Sequence, residues 1–491
     1  MFYQEKMLKN SIFKIKKTRK KYILEEFAIP SFEQVSLYFY NTPKLQENFH
    51  VIQDRTFKDL DLESVFCIID KTKSKIGQQF LYSKIRNIET QVAFEKYSNS
   101  REIIIKQLID DESFFQKVSD SLSVLKSDNL YELPLFFKKI DSIKGTRQLP
   151  VMQYMLIFML LASLGIFINK FFMAILLFAF LTNTFLHLKG KLERQFDIHS
   201  INQLYQMSQV AKKISKIDFL TSHYKNEIPL SVNKILKTQK KYSFLFIENK
   251  VNSDILLPMW LLYELFKILF LIEPIMYIKL MKALKNLNRE IKYTHEYIGD
   301  LDCLLSIAKI RMEYENSICI PEITNNNSYI LARDLFHPLI TPCVPNSIVI
   351  DNNSAIITGS NMSGKTTFAK SIATNILLGE TLNICFAKQM KFNRCAITTS
   401  INIFDDICNL KSYFKEEVLV FKEIIVESQK EKKYLIIIDE PFKGTSLAER
   451  TSISQATLSF LAEQGNIVIV TTHDVELANT LNNFSTYHFE V

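Results

Sequence analysis

The run Gly359-Ser360-Asn361-Met362-Ser363-Gly364-Lys365-Thr366-Thr367 fits the spacing G-x-x-x-x-G-K-[ST]. It follows the apolar stretch Ala355-Ile356-Ile357 and precedes a helical segment, which is the setting a phosphate-binding loop requires. Glycines let successive backbone N–H groups wrap a phosphate chain, and the N-terminus of the following helix adds its dipole. Lys365 is expected to reach the β- and γ-phosphates of ATP, and the Thr366 hydroxyl to ligate Mg2+. A second run, Tyr434-Leu-Ile-Ile-Ile-Asp439-Glu440, reads as a buried strand ending in two acids. Asp439 suits the magnesium ion, and Glu440 suits the water that attacks the γ-phosphate. A third, Asn466-Ile-Val-Ile-Val-Thr-Thr-His473-Asp474, is another apolar strand with a polar end. In an open parallel sheet that end faces the ligand crevice, so His473 is expected to sense the γ-phosphate.

These residues need a sheet to hold them. From residue 328 the sequence alternates β-rich runs (Ser347–Ile350, Ala355–Thr358, Tyr434–Ile438, Asn466–Thr471) with helical stretches near 366–378, 413–430 and 449–464. That alternation predicts a mostly parallel sheet covered on both faces. Residues 57–145 and 281–316 carry charged and apolar residues at helical spacing and predict helices.

Between them the composition changes. Val151–Ile168 and Phe171–Leu188 carry no charge, and Asn169 and Lys170 separate them. Each run spans about 27 Å as a helix, close to the thickness of a hydrocarbon core. Lys138, Lys139, Lys144 and Arg147 precede the pair, and Lys189, Lys191 and Arg194 follow it. The reading is a transmembrane hairpin at 151–188 in the inner membrane, with both flanks cytoplasmic and the turn on the far side. A third apolar stretch, Ile255–Leu280, contains Glu264, Lys267, Glu273, Lys279, Pro258 and Pro274. A charge at the bilayer midplane costs about 2.5–3.5 kcal/mol on insertion scales. A buried core helix whose charges share one face is therefore expected there.

Of 491 residues, 23% are charged and 47% apolar, which excludes a disordered tail protein, and 10 Gly and 12 Pro exclude collagen-like or low-complexity chains. Net charge +8 permits nucleic acid or anionic lipid. Lysines and arginines crowd residues 1–21, with no signal-type apolar core after them, so 1–56 reads as a basic arm. The seven cysteines lie scattered without a CxxC, which speaks against zinc and a disulfide scaffold.

TGSNMSGKTTF, IIIDEPFKGTS and VTTHD resemble the three nucleotide-site motifs of the MutS family of DNA mismatch-repair ATPases. Phe336-His-Pro-Leu with Val344-Pro-Asn346 is similar to the element preceding that family's phosphate loop. Ile69-Asp70-Lys-Thr72 with Gly77-Gln-Gln-Phe-Leu81 resembles the start of its helical core, and Ile298-Gly-Asp-Leu-Asp302-Cys-Leu-Leu-Ser306-Ile-Ala308 its end. The resemblance implies a helical core/lever domain at 57–327, containing the hairpin, then a P-loop ATPase domain at 328–491: an α plus α/β chain. It implies an ATP hydrolase using ATP and Mg2+, with Lys365, Thr366, Asp439, Glu440 and His473 in the roles above and Asn361 in the loop. It also implies a homodimer through the ATPase domains. Ser412, in Asn409-Leu-Lys-Ser412-Tyr-Phe414, is the candidate for the serine that completes a neighbouring subunit's site, and Lys443-Gly-Thr-Ser446 resembles the loop after the catalytic acids.

The family's mismatch-reading domain is not expected in 1–60, its DNA clamp is not evident, and the chain stops at Val491 where the family continues. The expected function is a membrane-anchored ATPase coupled to duplex DNA without mismatch specificity. The alternative is an ATP-driven conformational module at the membrane with no DNA client. Lys212, Lys213, Lys216, Lys234, Lys237, Lys240 and Lys241 are the candidate phosphate track.

Overall fold

The computed structural model describes residues 32–42, 48–143, 148–223, 227–246, 264–324, 329–360, 362–402, 413–430 and 432–490. Helices fill the chain up to Glu313, and the strands of two further sheets begin at Glu322. After the short helices Phe32–Val35 and Leu37–Asn41, which pack within the helical body, two elements serve the later sheet. Strand β1 (Asn48–Val51) and helix α1 (Asp54–Asp59) lie against its edge. His50 Nε2–H donates to the Ile397 carbonyl at 3.0 Å and Arg55 Nε to that of Thr399 at 3.1 Å. Asp59 accepts from the Thr399 hydroxyl at 2.7 Å and from the Ile401 and Asn402 N–H groups. Exposed strand edges template unwanted pairing, and these bonds occupy this one. Burial holds the His50 ring neutral, its pKa lowered to about 4.

The helical body is organised around α2 (Lys75–Arg86). Its N-cap Ser74 accepts the Gly77 N–H at 2.9 Å, which satisfies one of the free donors of the first turn. The strand β2 (Asn87–Glu89) pairs with β1, and α3 (Gln91–Asp110) and α4 (Leu133–Ser142) follow. Next come α5 (Gln148–Gly165) and α6 (Phe171–Ile214), joined at Asn169, whose side chain accepts the Phe171 N–H at 2.9 Å. α6 has 44 residues and a length of about 66 Å. Its two ends differ. Of Phe171–Leu188 (mean hydropathy 1.9) only 17% is buried, whereas Ile201, Leu204, Met207, Ala211 and Ile214 near the other end are buried.

The body closes with α7 (Glu227–Lys241), α8 (Ile272–Asn286) and α9 (Asn288–Glu313). Of the expected core helix at Ile255–Leu280, residues 255–263 lie outside the described residues. The remainder is not one helix: a short helical turn at 264–269 ends at Leu271 (φ +44°), and α8 starts anew. Pro274 falls in the first turn of α8, where backbone N–H groups have no helical acceptor anyway. Glu264, Lys267 and Glu273 do converge: Lys267 Nζ lies 3.1 Å from Glu264 and 3.5 Å from Glu273. Lys279 is exposed.

The two ends of the helical body interlock. Asp302 on α9 accepts the Lys73 N–H at 2.8 Å, the Ser74 N–H at 2.7 Å and the Ser74 hydroxyl at 2.6 Å. Ser306, one turn on, donates to the Ile69 carbonyl at 2.7 Å and accepts the Lys71 N–H at 2.9 Å. The approach is so close that a Cβ on Gly77 would stand 2.1 Å from Asp302 Oδ2.

Two sheets complete the chain. β3 (Glu322–Thr324), β4 (Tyr329–Leu335), β5 (Asn346–Asp351) and β7 (Gln389–Asn393) form one, in the order β3-β7-β4-β5. The other contains β6 (Ser354–Gly359), β8 (Ala396–Ser400), β9 (Tyr434–Asp439), β10 (Ile467–Thr471) and β11 (Phe484–Phe489). Its order is β11-β6-β10-β9-β8, and every pairing is parallel. Helices α10 (Lys365–Leu382), α11 (Tyr413–Ser428) and α12 (Leu447–Glu463) cover it. The central strands β6, β10 and β9 are almost wholly apolar because both their faces are buried. Leu435, Ile437 and Ile469 face a core continuous with the helical body, while Ile436, Ile438, Val468 and Val470 face the opposite side.

Gly77→Ala puts a methyl group into the Asp302 carboxylate, so it is expected to destabilise the chain by about 1–3 kcal/mol or more. Thermal denaturation measures this, and an unchanged midpoint means that α2 and α9 are free to separate. Burial also raises the Asp302 carboxyl to about 7, against the three hydrogen bonds it receives. A carboxyl raised in the folded state favours folding when protonated, so stability is expected to fall as pH rises from about 4 to about 7 and to level off above. In Asp302→Asn that limb should flatten; an unchanged pH profile assigns it to other groups.

Candidate functional site

Parallel pairing sets the site. Thr471 stands opposite Asp439 on one side, and Ile357, two residues before Gly359, on the other. The carboxyl ends of β6, β10 and β9 therefore open into one crevice. Gly359 leaves β6 with φ +145° beside β11, where a Cβ would meet the Phe489 carbonyl oxygen at 2.4 Å, so only glycine fits. Met362, at φ +70°, is fully exposed, and Gly364, at φ +99°, opens α10.

The loop residues are turned inward. Lys365 is buried, and its Nζ donates to the Gly359 carbonyl at 2.8 Å and the Ser360 carbonyl at 2.7 Å. The Ser363 hydroxyl is buried with no hydrogen-bond partner. Thr366 donates its hydroxyl to Asp439 Oδ1 at 3.0 Å, and the Thr471 hydroxyl donates to the same oxygen. Thr367 lies half-buried one position along α10 and gives its carbonyl to Ser371. Asn361 and Ser412 lie outside the described residues.

Glu440 follows β9 in the left-handed region, φ +50°, its N–H donating to the Thr471 carbonyl at 2.9 Å. That backbone turn points its carboxyl at the end of β10. There it accepts from the Thr472 hydroxyl at 3.3 Å and the His473 N–H at 3.2 Å, and His473 Nδ1 lies 2.5 Å from Glu440 Oε1. Burial raises the Glu440 carboxyl above its ordinary range; His473 and Lys443 oppose the shift, and Asp439 adds to it. The His473 ring itself is half exposed. Asp474 caps the following short helix through the Glu476 and Leu477 N–H groups.

Three residues had gone unassigned. Thr471 and Thr472 stand in a run already singled out, but which acid each would serve depends on strand register. Glu417 on α11 has no sequence signal. Its buried carboxylate accepts the Phe442 N–H at 2.5 Å, and Phe442 (φ +56°) stacks on Phe421 at 4.3 Å. Gly444 packs against Phe414. Thus α11 holds the loop after Glu440, and Ser412 immediately precedes that helix.

Chemically, the crevice offers a hydroxyl and a carboxylate on one side, a hard-oxygen pair suited to magnesium. A lysine and a helix N-terminus stand beside them, suited to phosphate. A buried carboxylate paired with histidine directly follows Asp439, suited to moving a proton.

The family described as MutS domain V matches residues 355–491. The DNA mismatch repair protein MutS of Clostridium botulinum (strain Okra / Type B1) is 29% identical over 212 residues, which is 40% of this chain and 22% of that protein. The DNA mismatch repair protein MutS of Clostridium tetani (strain Massachusetts / E88) is 27% identical over 223 residues, 42% of this chain and 25% of that protein. The matched region thus spans about a quarter or less of the length of these relatives.

Glu417→Ala leaves the Phe442 N–H without its buried acceptor, at an expected cost of about 1–3 kcal/mol in thermal or denaturant unfolding. A change within experimental error would show that the loop after Glu440 is held by other contacts.

Proposed function

Starting from a chain that belongs to the MutS family, we propose that it is a membrane-anchored ATP hydrolase whose nucleotide cycle works the helical body against a membrane hairpin. The observation that carries the ATPase reading is the meeting of Thr366 and Asp439 within 3.0 Å, beside a lysine held at the loop and a carboxylate held by histidine. Bound Mg2+ would supply charge neutralisation between the β- and γ-phosphates. Thr366 and Asp439 are the residues to hold it. Lys365 exchanges the Gly359 and Ser360 carbonyls for phosphate oxygens, and Ser363 brings an unpartnered hydroxyl to the same loop. Glu440 accepts a proton from water aligned on the γ-phosphate. His473, in contact with Glu440 before the nucleotide arrives, then turns to the phosphate.

What supports the anchoring is the surface of α5 and the first half of α6. Tyr154, Phe158, Leu161, Phe178, Leu181 and Phe185 are each more than half exposed. A soluble protein rarely leaves more than a few hundred Å2 of contiguous apolar surface in water. What supports the coupling is a knot between the phosphate-loop helix and the body. Arg311 on α9 grips Glu102 on α3 at 2.7 and 2.8 Å and reaches the carbonyl of Asn383, the C-cap of α10, at 3.1 Å. Lys370 of α10 pairs with Asp61 at 2.7 Å. A dimer through the ATPase domains, a cytoplasmic position for both soluble parts and duplex DNA as client complete the proposal. Lys212, Lys213, Lys216, Lys237, Lys240 and Lys241 are exposed, while Lys234 is paired with Glu290. The same knot equally serves an ATP-driven membrane module without DNA.

The test is ATP hydrolysis in lipid nanodiscs, with and without duplex DNA. Glu440→Gln should abolish turnover yet retain ATP, and hydrolysis at the wild-type rate sinks the assignment. Stimulation by DNA favours the DNA client; clear basal hydrolysis indifferent to DNA favours the module without one. A base works ionised, so activity should fall as pH drops through the raised Glu440 value. His473→Ala removes a partner that favours the carboxylate, and its acidic limb should lie at higher pH.

A further inference from the structure

Beside the hairpin lies a short piece of chain that the anchoring reading leaves unexplained. The helical turn 264–269 descends along α6 toward the hairpin's tip. Glu264 stands beside Lys191 and His187, at 3.3 and 3.7 Å, whereas the Leu269 carbonyl reaches Asn183 Nδ2 at 3.4 Å, further along the apolar run. The chain then reverses at Leu271, and α8 climbs back: Glu273 meets Arg194 at 3.0 Å, and Tyr277 donates to Asp197. The deepest point of this path is level with Asn183, inside the span Phe171–Leu188.

The two faces of the dip are opposite in character. Inward, Glu264, Lys267 and Leu271 are buried, Glu264 against Lys191 of α6 and Lys267 between Glu264 and Glu273. Outward, Leu265, Phe266 and Phe270 are exposed, the two rings 4.7 Å apart.

Resting on the membrane reading above, we propose that residues 264–271 form a re-entrant dip into the cytoplasmic leaflet, with Leu265, Phe266 and Phe270 in contact with lipid acyl chains. Two observations argue for lipid over water. Asn183, a polar residue fully buried within an apolar run, meets the Leu269 carbonyl where the helix ends. Backbone that leaves its helix at membrane depth has no water to pair with and needs such a partner from the protein. The charges of the dip are all turned inward and matched. Glu264 and Glu273 face Lys191, Arg194 and Lys267, which offsets part of the penalty that argued against membrane depth in the sequence. The cluster lies where α6 leaves the apolar span, at headgroup level.

The test uses the full chain in lipid nanodiscs. A photoreactive p-benzoylphenylalanine replaces Phe266 or Phe270 in turn, with Phe178 on the hairpin as reference. Crosslinks to lipid at Phe266, Phe270 and Phe178 are expected. Lipid adducts at Phe178 but none at Phe266 or Phe270 overturn the dip and leave the hairpin standing. Loss of lipid adducts at Phe178 as well overturns the membrane reading itself. Crosslinks from Phe266 to a second copy of the chain overturn the lipid assignment and make this face a contact between subunits.

Discussion

Parallel strand pairing in register is the constraint on which the candidate site depends. Each of β6, β9 and β10 is too apolar to stand anywhere but in a sheet buried on both faces. Once paired, their ends cannot be staggered without moving whole side-chain layers from one core to the other. Asp439 is therefore delivered opposite Thr471, and the Thr366 hydroxyl finds it from the neighbouring loop. Glu440 then needs only one residue in the left-handed region to aim its carboxyl at His473. That conformation is costly for a residue with a side chain, and the Thr471 carbonyl and the Glu417–Phe442 bond on either side hold it in place.

A second constraint closes the helical body. The carboxyl of Asp302 accepts the Lys73 and Ser74 N–H groups at the N-terminus of α2, contacts that offset only part of the cost of burying it. Gly77 clears the space for that approach, and Ser306 secures the preceding turn. The chain leaves this contact at α2 and returns to it at α9. Everything between, the hairpin included, is an excursion whose two ends are tied at one point.

The strands and the helix that starts at Lys365 were legible because their signals are local. Alternating apolar runs and polar ends located β5, β6, β9 and β10 within one residue at either end, and the spacing of Gly359, Gly364, Lys365 and Thr366 located the turn into α10. What was not legible depends on distant partners. Two motifs in the helical half were each recognisable, but nothing in either announced that Asp302 would sit on Ser74. Glu417 reads as one more acid on an amphipathic helix, and residues 48–59 carry no mark of a strand-edge cover. The stretch 255–280 misled for the same reason. Its charges do share an inward side, but they share it across a chain reversal at Leu271 that hydropathy does not register.

Transmission between the two ends of such a chain is a question of where it can bend. α6 runs from the exposed apolar span to Ile214 without a proline, glycine pair or break in its helical assignment, so it moves as one rod unless its hydrogen bonds are interrupted. At the far end, Arg311 fastens α9 and α3 to the C-cap of α10. Between them α6 packs on α9 through buried apolar side chains, which transmit displacement because close-packed interiors have little room to yield. At the apolar end the ion pairs of Lys191 with Glu264 and Arg194 with Glu273 fix α6 to 264–269 and to α8. Any shift of α10 therefore has two outlets: rotation of the whole helical body, or rupture of a buried ion cluster. Breaking a buried charge pair costs about 3–5 kcal/mol, so rotation of the intact body, hairpin included, is the softer motion.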